Sequence, residues 1–251
     1  MRGKGITYDT GFLSAGTSTH EPFDPAVVRR ELRIIRDELH CNAVRITGGD
    51  VHRLEVTADA AADAGLEVWI SPFTNGLTID ALLELLGECA VFAERLRRGG
   101  REIVLLTGSE VRARMKDFLR RAVDVVRARF AGRVSYASLP HEGVDWTLFD
   151  FIATDAGYRT GPMAAYFRDQ IRAFVAHGRS LGKPVAITEF GCASFHGSAD
   201  AGGSELTMIL ASRGIVKVLD GESGIAVRRW EPKAAFDRLA AYYSQSAGDA
   251  R

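Results

Sequence analysis

The sequence lacks paired cysteines, excess charge of either sign and long apolar runs, and each absence excludes a class of protein. Its three cysteines are far apart and odd in number, which argues against a disulfide framework or a zinc site. Basic and acidic residues number 32 each, so neither nucleic acid nor an anionic membrane is a predicted partner. No apolar run is long enough to cross a membrane and no signal-peptide pattern follows Met1, so we expect a cytoplasmic protein.

Motifs for metals, phosphates and activated serines are also missing. The six histidines do not have the spacing of metal ligands, and Gly48-Gly49 and Gly202-Gly203 lack the pattern of a phosphate-binding loop. Ser109 does not stand in the GxSxG context of a serine hydrolase. We therefore expect a protein that works without a metal or a cofactor.

What the sequence does contain is a regular alternation of apolar strands and amphipathic helices. Seven strands are predicted, at 5–12, 42–47, 66–71, 102–107, 133–138, 150–155 and 183–189. Helices are predicted between them, except at 139–149, where the composition favours a loop. Such repeats form a parallel sheet covered by helices. The length of 251 residues suits one (β/α)₈ TIM barrel of the α/β class, so we predict a single domain over 1–251.

The eighth repeat is less regular than the first seven. Two segments, 206–211 (LTMILA) and 215–219 (IVKVL), could each supply the closing strand. Trp230-Glu231-Pro232 is predicted to start a last helix, over 233–243, whose aromatic residues pack into the core. The predicted barrel therefore has a degenerate or incomplete eighth strand.

Two of the predicted strands end in a carboxylate. Glu189 closes the run PVAITEFG, and Glu110 follows IVLLTGS. Active sites of α/β sheets lie at the carboxyl ends of the strands, although a strand-end glutamate can also simply form a salt bridge. Two carboxylates that flank one bond are what glycoside hydrolysis requires: one protonates the leaving oxygen and the other attacks or stabilises the sugar carbon.

The motifs TGSE, ending at Glu110, and ITEFG, around Glu189, resemble those of clan A, the large group of retaining (β/α)₈ glycoside hydrolases. The resemblance implies that Glu110 is the acid/base and Glu189 the nucleophile. It also implies that Arg45 and Tyr158 lie beside the nucleophile, and Asp155 is close enough to join them. The sequence departs from the clan in having Ser109 where asparagine is usual, no histidine after the third strand and no evident tryptophan from an eighth strand.

Each of these supporting residues has a structural alternative. Arg45 could neutralise Asp50 or another acid at a strand end, Asp155 could cap the next loop, and Tyr158 could pack at the rim. In an eight-stranded barrel the ends of the fourth and seventh strands face each other across the mouth, which would bring Glu110 and Glu189 together.

Three further residues are candidates for contact with a ligand. Tyr8 and Asp9 stand on the first strand, although Asp9 before Thr10-Gly11 is also typical of a turn. Glu142, in the loop after the fifth strand, is an alternative general acid to Glu110. We rank it second because strand ends hold catalytic groups more rigidly than loops do.

These observations predict a hydrolase of carbohydrate metabolism that cleaves a soluble glycoside with two glutamates. Its expected partner is a small-molecule or oligosaccharide substrate. Two alternatives stay open: a non-catalytic barrel that binds a sugar or a protein, and an isomerase that acts on a sugar-like metabolite.

Overall fold

A sheet of seven parallel strands, curled into a nearly closed barrel, forms the centre of the molecule. The structure, a computed structural model, describes residues 3–11, 13–14, 17–18, 21–73, 77–109, 115–139, 142–158, 164–191, 216–218, 230–232 and 234–245. The barrel strands, in chain order and in spatial order, are β1 (Gly5–Asp9), β2 (Ala43–Gly48), β3 (Glu67–Pro72), β4 (Ile103–Ser109), β5 (Arg133–Ser138), β6 (Ile152–Tyr158) and β7 (Val185–Gly191). All seven predicted strands are thus confirmed, with ends shifted by up to three residues.

Helices follow the strands along the chain. They are α1 (Pro25–Asp37), α2 (Val51–Asp63), α3 (Ile79–Arg98), α4 (Met115–Arg127), α5 (Ala164–Ser180) and α6 (Ala234–Gln245). The side chains of Asp24, Asp50 and Thr78 cap the first three by accepting backbone N–H bonds, as their positions predict. Between β5 and β6 the described residues form only a short 3₁₀ helix, Trp146–Leu148, so the prediction of a loop there is confirmed. No described helix is long and apolar enough to cross a membrane.

Buried side chains form two separate clusters, which identify the two faces of the strands. The larger cluster joins strand residues such as Ile46 and Ile70 to helix residues such as Leu86, and it fills the layer between sheet and helices. The smaller cluster contains no helix residue. Its members come from the strands and from Phe151: Val104, Leu106, Ala137, Phe151 and Ala153, with Trp69 and Ala186 packed against them. This second cluster is the barrel interior.

The predicted incomplete eighth strand agrees with the nearly closed barrel, but one of its two candidate segments was wrong. Residues Val216–Val218 lie within the proposed closing segment 215–219, but they pair antiparallel with Trp230–Pro232 in a separate ladder. The predicted start of the last helix is therefore a strand, and α6 begins at Ala234. The other closing segment, 206–211, lies outside the described residues. Among those that are described, β1 and β7 form no ladder with each other.

The last helix nevertheless packs beside the first strand. The Tyr243 hydroxyl of α6 donates to the Gly5 carbonyl at 2.9 Å, and the Lys4 ammonium donates to the Tyr243 carbonyl. Phe236 and Tyr243 are buried, whereas Tyr242, predicted to be in the core, is exposed. Burial raises the pKa of Tyr243 to about 12, so the phenol stays a hydrogen-bond donor. The last helix therefore lies against the first strand, as expected when the repeats form a ring.

Gly48 lets the carboxyl ends of β1 and β2 approach each other at the barrel mouth. A Cβ atom at this position would lie 2.1 Å from the Thr10 hydroxyl oxygen. We expect Gly48→Ala to lower the free energy of unfolding by about 3 kcal/mol, because the buried Thr10 side chain must move and its hydroxyl loses the hydrogen bond to the Thr47 carbonyl. Urea denaturation measures this loss. Gly65→Ala is the control: that glycine has φ +76 but no atom within 4 Å of its added Cβ, so we expect a loss of only about 1 kcal/mol. Equal losses in both variants would contradict the steric argument.

Candidate active site

The inner face of the barrel carries a buried ionic cluster at the carboxyl ends of its strands. Nη1 of Arg45 lies 2.8 Å from Oε1 of Glu189 and 3.1 Å from Oδ1 of Asp155. Arg45 stands on β2, Asp155 on β6 and Glu189 on β7. In a flat sheet β2 and β6 would be about 19 Å apart, four strand spacings, so these contacts exist because the sheet curls into a ring.

A register shift between β6 and β7 turns Glu189 towards the interior. Ala153 and Ala186 are paired and both face inward. Regular alternation from Ala186 would turn Thr188 inward and Glu189 outward. Between Thr154 and Asp155, however, the register shifts, and Asp155 pairs with Glu189 instead of Thr188. Bulges of this kind re-aim side chains near active sites.

The side chains of Arg45 and Asp155 are buried, whereas that of Glu189 is partly exposed. Their side chains are 7% and 4% exposed, and that of Glu189 is 27% exposed. The Thr188 hydroxyl donates a further hydrogen bond to Oδ1 of Asp155, at 2.6 Å. Of the three charged groups, therefore, only the Glu189 carboxylate presents a surface that a ligand in the barrel mouth can touch.

The predicted partner acid, Glu110, lies outside the described residues, as part of 110–114. Its strand is described: β4 ends at Ser109, so the carboxyl end of β4 directly precedes Glu110. A register shift in β4 pairs Ser109 with Ala137, which belongs to the barrel interior. Tyr158 ends β6 and pairs with Gly191, and its side chain is outside the described part.

Tyr8 and Asp9 lie on opposite faces of β1. Tyr8 belongs to the cluster between sheet and helices, and its hydroxyl donates to Glu31 on α1 at 2.6 Å. The structure thus directs Tyr8 away from the barrel interior and from Glu189. Asp9 pairs with Thr47 of β2, two residues after Arg45 and hence on the same face. Its carboxylate accepts the Gly11 N–H at 2.7 Å, which is the turn contact that the sequence indicates.

Glu142 belongs to a different part of the barrel mouth. It accepts a hydrogen bond from the Leu139 N–H at 2.8 Å, and it lies in a cavity of about 300 Å³ between the start of α4 and the loop after β5. In the same cavity the Thr147 hydroxyl and N–H hold the pKa of Asp145 below its usual range. No member of the Arg45 cluster lines this cavity. The structure therefore separates Glu142 from Glu189.

Sequence reasoning missed inward polar residues, among them Ser71. It ends the predicted third strand and pairs with Thr47, so it faces the interior beyond Trp69. Among the described residues, the buried Ser71 hydroxyl and Nε of Arg45 have no hydrogen-bond partner. The only sequence signal was a serine at the carboxyl end of an apolar strand.

The described cysteines do not offer a nucleophile. Burial raises the pKa of the Cys41 thiol to about 12, and it raises that of Cys89 as well, so both stay protonated at neutral pH. Within the described ranges, no group of three or more His, Cys, Asp or Glu side chains could hold a metal ion. Among the described residues, the carboxylates of the Arg45 cluster are therefore the candidates for chemistry at this site.

Comparison with known proteins gives a likeness of structure alone. No protein-family model matches the sequence, and no curated protein matches it. Among solved structures, a GH113 β-1,4-mannanase has a TM-score of 0.64 at 17% identity, and the aligned region covers 99% of this chain and 85% of the mannanase chain. A β-glucuronidase from Ruminococcus gnavus has a TM-score of 0.60 at 17% identity, covering 96% of this chain and 48% of its own. The β-glucuronidase 2 of Bacteroides uniformis has a TM-score of 0.53 at 10% identity, covering 97% of this chain and 28% of its own.

These identities are too low to carry an activity from one protein to another, since one barrel fold serves many chemistries. This chain spans less than half of either glucuronidase. The comparisons establish the fold alone: the chain is a (β/α)₈-type barrel, like these solved structures. This agrees with the order of the seven described strands and with the burial of both faces of the sheet.

Proposed function

We propose that the protein hydrolyses a soluble glycoside, with Glu189 as the nucleophile and Glu110 as the acid/base. The observation that carries the proposal is the partly exposed Glu189 carboxylate at the mouth of the barrel, bound by the buried Arg45 at 2.8 Å. A nucleophile has to be ionised, and an adjacent guanidinium favours the ionised form. Attack on the sugar carbon would form a glycosyl-enzyme intermediate, which water then hydrolyses.

Glu110 would protonate the leaving oxygen and then deprotonate the attacking water. Support for this role is its position directly after β4 and the resemblance of TGSE to the acid/base motif of clan A. For direct attack the two carboxyl groups have to lie about 5 Å apart, with the glycosidic bond between them. Sequence position makes Glu110 a better candidate than Glu142, which already accepts the Leu139 N–H of its own loop.

The comparisons suggest which sugars to test first. Mannoside and glucuronide are named in the neighbouring structures, and both neighbours are β-specific by name. A glucuronide carries a carboxylate, whereas a mannoside is neutral. The described cluster contains two carboxylates and one guanidinium, and this excess negative charge favours a neutral sugar. We therefore propose a neutral β-glycoside, with a β-mannoside as the leading candidate.

A panel of aryl glycosides with good and poor leaving groups tests the proposal. We expect the wild-type protein to release the phenol from at least one neutral β-glycoside. Glu110→Gln should lower kcat/KM by about 10²-fold or more for substrates with poor leaving groups. The fall should be smaller for substrates with good leaving groups, because these depart without being protonated. Glu142→Gln is the matched control and should have little effect.

Two outcomes would count against this function. If the wild type releases no phenol from any glycoside but binds a sugar, the protein is the non-catalytic sugar-binding barrel that the sequence leaves open as an alternative. If Glu142→Gln shows the dependence on the leaving group and Glu110→Gln does not, the acid/base is Glu142.

A further inference from the structure

One nitrogen of Arg45 donates hydrogen bonds to two carboxylates. Nη1 donates to Oδ1 of Asp155 at 3.1 Å and to Oε1 of Glu189 at 2.8 Å. This nitrogen carries two hydrogen atoms, and both lie in the plane of the guanidinium group. Two acceptors on different strands therefore fix the plane of the guanidinium as well as its position.

Asp155 is also joined to the strand that carries Glu189. The Thr188 hydroxyl, one residue before Glu189, donates to the same oxygen, Oδ1 of Asp155, at 2.6 Å. Because the side chain of Asp155 is only 4% exposed, a substrate in the barrel mouth cannot reach it. These two contacts both lead to Glu189, one through Arg45 and the other through Thr188.

We propose that Asp155 is a positioning residue, which acts through Arg45 and is not in contact with the substrate. This inference rests on the proposed function, and it gives a specific role to Asp155, which the sequence placed close to Arg45 and the nucleophile. Arg45 held by Asp155 approaches Glu189 from one fixed direction and donates to Oε1, which fixes the orientation of the carboxylate towards the sugar. Without Asp155 the guanidinium can rotate, and Glu189 loses its fixed orientation.

The carboxylate of Asp155 adds a second negative charge beside the ion pair of Arg45 and Glu189. Arg45 on β2 contacts Glu189, and Asp155 on β6 contacts Arg45. Asp9 on β1 also occupies an inward-facing position, nearer the mouth of the barrel. A neighbouring negative charge disfavours ionisation of a carboxyl group. Removing the charge of Asp155 should therefore make Glu189 easier to ionise, and activity should persist to lower pH.

The variant Asp155→Asn tests this role, because asparagine keeps the size and an acceptor oxygen but loses the charge. We expect kcat to fall about 10- to 100-fold with KM within about twofold of the wild type, since the ground-state contacts to the sugar are unchanged. The acidic limb of the pH–rate profile should move to lower pH. Circular dichroism and thermal unfolding check that the variant is folded.

Asp150→Asn is a matched control at the other end of β6. Asp150 also pairs with an arginine, Arg127, and accepts the Val134 N–H at 2.7 Å, but it lies before the strand and far from its carboxyl end. This control should change thermal stability at most, and leave kcat and the pH profile as they are. Should Asp155→Asn fail to fold, Thr188→Val removes only the hydroxyl that binds Asp155, and we expect kcat to fall about threefold to tenfold at constant KM.

The possible results separate this inference from the proposed function. If the wild type turns over no glycoside, the proposed function fails and the role of Asp155 fails with it. If the wild type is active and Asp155→Asn raises KM at unchanged kcat, Asp155 binds substrate and only this inference is overturned. An unchanged kcat together with an unmoved acidic limb would also overturn it, by showing that Asp155 is purely structural.

Discussion

Glu189→Gln should lower kcat by at least about 10³-fold on any glycoside that the wild-type protein hydrolyses. An amide has no negative charge and cannot form the ester bond to the sugar carbon, so the two-step route is closed. The fold should persist, because Arg45 keeps its contact with Asp155 at 3.1 Å and the amide oxygen can still accept a hydrogen bond. Stopped assays with an aryl glycoside measure the loss, and thermal unfolding verifies the fold.

Glu31→Gln is the control for this substitution. Glu31 accepts the Tyr8 hydroxyl at 2.6 Å on the helix-facing side of β1, so it makes a comparable contact away from the barrel interior. We expect its kcat to equal that of the wild type. A similar loss of activity in both variants would show that Glu189 acts through stability and not through chemistry.

A smaller residue at the same position adds a test of mechanism. In Glu189→Gly the space of the carboxylate is open, and added azide can attack the sugar carbon in its place. We expect azide to restore the release of an activated phenol and to yield a glycosyl azide, because azide supplies the missing nucleophile. Failure of azide to restore any activity, with the fold intact, would argue against direct attack by Glu189.

The position of this residue could be predicted from the sequence, but its direction could not. A run of apolar residues that ends in a carboxylate places Glu189 at the carboxyl end of a buried strand. Simple alternation from Ala186 would turn it outward, and the register shift against β6 turns it inward. Such a shift depends on pairing with a strand about 30 residues earlier, which no local pattern encodes.

Tyr8 shows the same limit from the other side. Both Tyr8 and Asp9 were candidates for the site, although neighbouring residues on a strand face opposite ways. A parallel strand is buried on both faces, so its apolar residues do not reveal which face is inside. Contacts with α1 decide the matter: the Tyr8 hydroxyl binds Glu31, and Asp9 is left on the face of Arg45.

The closing strand could not be predicted for a related reason. The segment 215–219 is apolar enough for a strand, and its central residues do form one. Their partner, however, is Trp230–Pro232 and not a strand of the barrel, and an apolar pattern predicts a strand without predicting its partner. The resemblance to clan A placed Arg45 beside Glu189, and in the ring of strands Arg45 contacts both Glu189 and Asp155.

Arg45→Met should produce the largest loss of stability among the substitutions considered. Methionine has a similar length but no charge, so the 4% exposed Asp155 carboxylate would be left buried without its cation, beside the negative charge of Glu189. Removing one partner of a buried ion pair costs about 3–5 kcal/mol. We expect a fall of that size in the free energy of unfolding, measured by urea denaturation at neutral pH.

Arg95→Met is a control with the same arrangement at the surface. Arg95 also bridges two carboxylates, at 3.1 Å to Glu55 and 2.9 Å to Asp59, but the three side chains are about half-exposed, at 52%, 39% and 44%. Water solvates the acids when the arginine is lost, so we expect a change of at most about 1 kcal/mol. Comparable losses in the two variants would mean that burial does not govern the strength of the inner cluster.

The pH dependence of the Arg45→Met loss tests its electrostatic origin. In the variant, two like charges face each other without a cation, and protonation of either carboxyl group relieves the repulsion. The difference in stability from the wild type should therefore be greatest at neutral pH and should shrink as the pH falls towards about 4, where carboxyl groups take up protons. Adding Asp155→Asn to Arg45→Met should recover part of the stability at neutral pH, because it removes one of the two unpaired charges. A loss that is constant with pH and is not reduced by the second substitution would instead indicate that the methionine packs poorly inside the barrel.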